Sequence, residues 1–280
     1  MTDDGSTGYG ARLQRALSER GRLCVGIDPH LSILKAWGLP GTPNGLERCA
    51  RGMVETLGEQ TAIFKPNSAM FEVFGSAGIA VLERMVADAR AAGAMVLLDG
   101  KRGDLGSTMA SYARAYLDDD SPLAVDALTV HPFMGFGSLT PAIELAREFG
   151  KGLYVLCRTS NPEAGQVQHA VDPSGRSVGQ TMVDEVIAAN EAADPGPFGL
   201  VIGGTLDRLD VDLTGLTGSV LVPGIGAQGG SIGRLRELFG DQVGRVLPTS
   251  SRDIMAAGPE PAALRDRLAA VQDECAALAG

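Results

Sequence analysis

The sequence predicts a single α/β domain, a (β/α)8 TIM barrel with an extra N-terminal helix, and three observations carry that prediction. Eight short apolar runs of strand length alternate with seven or so helix-length segments along the 280 residues. No shift in composition marks a domain boundary, and the length suits one barrel of roughly 250 residues with trimmings. Several of the runs end in an ionisable residue, at the strand end where barrels place their chemistry. A doubly wound parallel sheet is the rival architecture.

Residues 1–8 are mostly Gly, Ser, Thr and Asp and are expected to be a disordered N-terminus, which leaves 9–280 for the barrel. Residues 9–20 have helical periodicity, with Leu13 and Leu17 four apart. Arg22 to Asp28 reads as the first strand, stopped by Pro29. After a Gly/Pro-rich stretch, an amphipathic helix runs to about Glu59. Thr61 to Asn67 is the second strand, with Lys65 near its end. A buried lysine there demands a nearby carboxylate. A helix over 76–92 leads to the third strand from Met95, and Ser107 or Thr108 starts the next helix, to Leu117. Ala127 to Pro132 is strand four, and its His131 reads as structural. A helix near 138–149 precedes strand five, Gly152 to Thr159. Residues 160–180 form a polar loop longer than a barrel connection needs. A helix over 181–193, strands at 199–204 and 219–223, a helix from about Ser231, a strand at 245–250 and an alanine-rich helix over 260–278 complete the series.

A formal net charge of −10 and a pI near 4.8 exclude the broad basic surface that nucleic-acid or membrane-surface partners require. An anionic ligand must then be held by a few local cations. No stretch is long and apolar enough to span a membrane, and nothing resembles a signal peptide. Cys24, Cys49, Cys157 and Cys275 lack C-x-x-C spacing and read as reduced core thiols. Together these place the protein in the cytoplasm. Four lysines (Lys35, Lys65, Lys101 and Lys151) stand against twenty arginines. Lysine, unlike arginine, can release its proton near neutral pH, so its retention at two strand ends points to chemistry.

Residues 95–104, MVLLDGKRGD, hold the densest signal. Strand side chains repeat every second residue, so Asp99 and Lys101 leave the third strand on one face, with Asp104 in the following loop. A strand-end salt bridge would account for Asp99 and Lys101 equally well. Gly224-Ile-Gly-Ala-Gln-Gly229 matches the dinucleotide fingerprint G-x-G-x-x-G. It falls in the seventh strand unit and after Pro223, however, which suits a barrel's phosphate cup better, with Arg252 as its bidentate cation.

The full set resembles orotidine 5′-phosphate decarboxylases over residues 22–255, and the bacterial type 2 branch in particular. It comprises Asp28, Lys65, Asp99-x-Lys101-x-x-Asp104, Thr159-Ser160-Asn161-Pro162, Pro223-Gly-Ile-Gly-Ala-Gln228 and Ser251-Arg252. That resemblance implies cofactor-independent decarboxylation of orotidine 5′-monophosphate to UMP, the last step of pyrimidine nucleotide synthesis. It implies catalytic Lys65, Asp99, Lys101 and Asp104. It implies substrate contacts from Asp28 to the ribose, Ser160 to the pyrimidine, and Gln228 and Arg252 to the phosphate, with Thr108, Pro223 and Ser251 also at the site. It further implies a homodimer in which Asp104 and Thr108 reach the partner's site, and neither metal nor cofactor. This chain has Ser251-Arg252-Asp253 where many members have Gly-Arg-Ser. Mg2+-dependent sugar-phosphate enzymes of the same suprafamily share D-x-K-x-x-D but resemble a carboxylate at the Lys65 position. The same residues also leave open an NADP oxidoreductase or a non-catalytic nucleotide-binding barrel.

Overall fold

The computed structural model describes residues 8–191, 193–225 and 232–279. Residues 1–7, expected to be disordered, lie outside it. Eight parallel strands close into a barrel in sequence order. The chain runs α1 (Tyr9–Arg20), β1 (Cys24–Ile27), α2 (Leu31–Ala36), α3 (Pro43–Leu57), β2 (Ile63–Pro66), α4 (Ser68–Glu72), α5 (Gly75–Ala91), β3 (Met95–Arg102) and α6 (Gly106–Leu117). It continues through β4 (Ala127–Val130), α7 (Thr140–Glu148), β5 (Gly152–Arg158), α8 (Gly165–Gln168), α9 (Val178–Asn190), β6 (Phe198–Ile202) and β7 (Val220–Pro223). It ends with α10 (Ile232–Phe239), β8 (Val246–Ser250), α11 (Arg252–Met255) and α12 (Pro261–Ala276).

Every expected strand is present within a residue or two of its expected bounds. The helix expected over 181–193 starts three residues earlier, because the Ser177 hydroxyl caps α9 by accepting from Gln180 N at 3.1 Å. One connection carries no helix, as the order of segments in the sequence implies. Residues 203–219 cross from β6 to β7 without a helix, and Val211, Leu213 and Leu216 bury apolar side chains in its place. Residues 160–180 are not a featureless loop. They contain α8 and a bridge between Val171 and Ser177.

Two apolar clusters divide the strand residues by parity. Cys24, Ile63, Met95, Leu97, Ala127, Tyr154, Val201, Leu221 and Leu247 fill the barrel interior, while Val25, Phe64, Val96, Leu98, Leu128 and Val155 pack outward under the helices. α1 seals the amino-terminal end of the barrel. Its Tyr9 meets Tyr154 edge-on at 6.2 Å between ring centroids, with hydroxyls 3.0 Å apart. Gly152 is required for this, since a Cβ there would come within 2.5 Å of the Tyr9 ring. All four cysteines are buried and free, and burial pushes each thiol up to about 12, so they serve as packing. Among the described residues no helix is long and apolar enough to cross a membrane.

Candidate active site

Continuing the interior parity by one step past the apolar layers places the polar residues. Ile63 gives Lys65, Met95 and Leu97 give Asp99, Ala127 gives Thr129, and Leu247 gives Thr249 and Ser251. Lys65, Asp99, Thr249 and Ser251 floor a cavity of about 280 Å³ at the carboxyl end of the strands, with Thr129 buried beneath Asp99, and Asp28, Asn67, Lys101, Thr159, Pro223, Gly224 and Arg252 also line it. Its apolar wall is Leu156, Val201, Leu221 and Ile225.

The charges alternate. The Lys65 ammonium is 3.3 Å from Asp99 Oδ2 and 4.0 Å from Asp28 Oδ1, and its side chain is only 5 % exposed. The demand for a carboxylate beside this lysine is therefore met twice. The Lys101 ammonium donates to Asp99 Oδ1 at 2.7 Å and is half exposed. Burial alone would raise the Asp99 carboxyl, but Lys65 and Lys101 outweigh it and hold it well below the ordinary carboxylate range. Burial would likewise lower Lys65, and Asp99 and Asp28 outweigh that and raise it. Both groups are thus charged throughout the neutral range.

Lys101 has φ +45, a rare left-handed conformation for a residue with a side chain. The β3–β4 register shifts between Leu98 and Arg102, and this irregularity turns the Lys101 side chain back onto Asp99. Thr129, which sequence reading passed over, stabilises the turn. Its hydroxyl donates to Asp99 Oδ1 at 2.9 Å and accepts from the Lys101 backbone N–H at 2.9 Å. The signal available was a threonine inside the apolar run Ala127–Val130. Thr129→Val keeps the shape and removes both bonds, so kcat is expected to fall about ten-fold in steady-state assays, at the value of one to two hydrogen bonds. An unchanged kcat would remove Thr129 from the site.

At the other wall, Asp28 Oδ1 and Ser251 Oγ are buried and make no hydrogen bond among the described residues. Gly26 makes room for Ser251, as a Cβ there would lie 2.4 Å from the serine Cβ. Arg252 is exposed at the rim, and Asp253 turns away to pair with Arg267 at 2.6 Å. His131 lies outside this cavity, against Gly103, as its structural reading implies.

The cavity therefore brings together Asp28, Lys65, Asp99, Lys101, Pro223, Ser251 and Arg252. Ser160 is exposed beside it, next to Gly203. Asp104 and Thr108 do not line the cavity of their own chain. Asp104 Oδ1 accepts from Leu105 N at 2.8 Å, and Thr108 is exposed on α6. Gln228 and most of the glycine motif lie outside the described residues; Gly224 is described, at φ +102.

A sequence profile described as "Orotidine 5′-phosphate decarboxylase / HUMPS family" matches residues 21–266. The chain belongs to this orotidine 5′-phosphate decarboxylase / HUMPS family. Among its relatives, the orotidine 5′-phosphate decarboxylase of Streptomyces coelicolor is 54% identical over 92% of this chain and 93% of its own length. That of Salinispora tropica is 52% identical over 97% of this chain and 99% of its own. The crystal structure of a candidate orotidine 5′-phosphate decarboxylase from Streptomyces avermitilis superimposes with a TM-score of 0.95 at 53% identity, covering 100% of both chains. An orotidine 5′-phosphate decarboxylase from Leishmania donovani superimposes with a TM-score of 0.76 at 27% identity, over 97% of this chain and 98% of its own.

Proposed function

We infer that this chain decarboxylates orotidine 5′-monophosphate to UMP and CO2, the final step of pyrimidine nucleotide synthesis. The observation that carries the reading is the Lys65–Asp99–Lys101 cluster on the cavity floor, with Arg252 at the rim. Breaking the bond from C6 to the carboxylate leaves an electron pair in the ring plane, where no adjacent π system accepts it. Fixed charges must stabilise that carbanion. Lys101, half exposed and reaching into the cavity, supplies the positive charge and then the proton that C6 receives. Asp99 faces the substrate carboxylate and orients Lys101, and Lys65 keeps Asp99 ionised. Asp28 takes the ribose hydroxyls through its buried oxygen, which has no hydrogen bond among the described residues, Ser160 the pyrimidine edge, and Arg252, with Pro223 and Ser251 also lining the cavity, the phosphate, to which Gln228 is a further contact by its motif.

The lysine at position 65 and relatives that are named decarboxylases favour this reading over the Mg2+-dependent sugar-phosphate branch. Loss of orotidine 5′-monophosphate absorbance in the presence of EDTA tests it, and no turnover by folded protein would overturn it. Arg252→Ala is expected to lower kcat/KM about 10- to 100-fold, chiefly through affinity, the value of charge-assisted bonds to phosphate. A substrate lacking the phosphate should be insensitive to that substitution.

The working unit is a homodimer in which Asp104 and Thr108 reach the partner's site. Their position outside their own chain's cavity supports this, as does the exposed apolar surface nearby from Leu105, Phe133 and Met134. Specific activity is expected to fall on dilution in step with dissociation measured by sedimentation, and full activity in a dilute monomer would refute shared sites. Buried, unpaired cysteines and the absence of a membrane-spanning helix among the described residues support a cytoplasmic location.

A further inference from the structure

The segment between β5 and α9 leaves its purpose open in the sequence, and its contacts point to one. β5 ends in Arg158, a guanidinium only 5 % exposed, where the register with β6 shifts between Leu156 and Arg158. The guanidinium donates through Nε and Nη2 to both carboxylate oxygens of Asp210, at 2.7 and 2.8 Å, and through Nη1 to Gln168 Oε1 at 2.9 Å. Asp210 belongs to the helix-free β6–β7 crossover, and Gln168 is the last residue of α8. His169 Nε2 closes the cluster, 3.0 Å from Asp210 Oδ2 and in contact with Arg158 Nη2.

From this anchor the Gln168 carboxamide reaches the active-site wall. Its oxygen also accepts from the Thr159 backbone N–H at 2.9 Å, and its nitrogen donates to the Thr159 hydroxyl at 2.9 Å. Two donors converge on one oxygen, which fixes the orientation of the amide, since a flipped NH2 would face both of them. Thr159 passes the constraint on, donating to Asn161 Oδ1 at 2.7 Å. Thr159 lines the cavity, and Ser160, held from both sides by Thr159 and Asn161, rests against Gly203, where a Cβ would come within 3.0 Å of its backbone nitrogen.

We propose that Gln168, locked by the Arg158–Asp210 pair, is a positioning residue that fixes Thr159 and Ser160 at the pyrimidine end of the site, so that the long segment after β5 serves substrate recognition. The proposal rests on the nucleotide reading above. Ordering a hydroxyl before the ligand arrives spares binding the cost of ordering it afterwards. The constraint should therefore act on ligands that carry the base and not on ribose 5-phosphate, which shares only the sugar and phosphate.

Calorimetric titration of UMP and ribose 5-phosphate into wild type, Gln168→Ala and Gln168→Glu tests this. Gln168→Ala is expected to weaken UMP roughly ten-fold, the effect of one or two lost hydrogen bonds, and to leave ribose 5-phosphate within about two-fold. Gln168→Glu should restore most UMP affinity. One carboxylate oxygen still accepts from Arg158 and Thr159 N–H, and the other accepts from the Thr159 hydroxyl, which gives up its bond to Asn161 while Thr159 itself stays fixed. An equal loss for both ligands would reduce Gln168 to a stability element and overturn the proposal, as would no loss for either. Wild type that binds neither ligand would overturn the nucleotide reading itself.

Discussion

Lys101→Ala is expected to lower kcat for orotidine 5′-monophosphate by about 10³-fold or more while leaving the fold intact. The magnitude combines the two roles proposed for one ammonium, electrostatic stabilisation of the C6 carbanion and delivery of its proton, each worth about 10²- to 10³-fold in comparable sites. Folding should hardly notice, because the side chain is half exposed and its pairing with Asp99 competes with water. Alanine at φ +45 is also no more strained than the lysine it replaces. Lys101→Arg separates the two roles. It keeps the charge but cannot give up a proton near neutral pH, so turnover should remain low while UMP binding persists. Stopped-flow or steady-state absorbance assays read the result, and a kcat equal to wild type would remove Lys101 from the mechanism.

The barrel was legible because a strand's two faces alternate. Met95, Leu97 and Asp99 share one parity, as do Ile63 and Lys65, so apolar layers in the chain predict both the interior and the charged floor above it. The requirement of a partner for Lys65 followed from the cost of burying an ammonium, and Asp99 and Asp28 meet it. What escaped the sequence depends on contacts between distant segments. Thr129 lies 30 residues from Asp99, and Asp210 lies 52 from Arg158, separations that no local pattern encodes. The β6–β7 crossover, for which the sequence offers no helix, closes by packing through Val211, Leu213 and Leu216. Asp104 and Thr108 have a readable motif but do not line the cavity of their own chain, which is why the role proposed for them above is at an interface.

Lys65→Met should be the most destabilising substitution in the cavity, costing about 3–5 kcal/mol at neutral pH, because it removes the cation from a buried cluster and leaves its carboxylates behind. Methionine fills the space of the aliphatic stem, so the loss reports charge and not a cavity. The pH dependence identifies the cause. In the wild type Asp99 is held well below the ordinary carboxylate value, so its stabilising contribution is present in full above roughly pH 4 and disappears as pH falls further toward its own depressed value. Without Lys65, burial becomes the dominant influence on Asp99, and half-exposed Lys101 offsets only part of it. The Asp99 carboxyl then rises above the ordinary value, and the variant takes up a proton on folding. Its stability should decline as pH rises from about 4 to 7, over a window where the Asp99 contribution in the wild type is constant. Denaturant melts at a series of pH values should therefore show the difference between the two proteins widening toward neutrality. A difference that stays the same from pH 4 to 7 would mean that Lys65 acts through packing and that the buried charges do not depend on it.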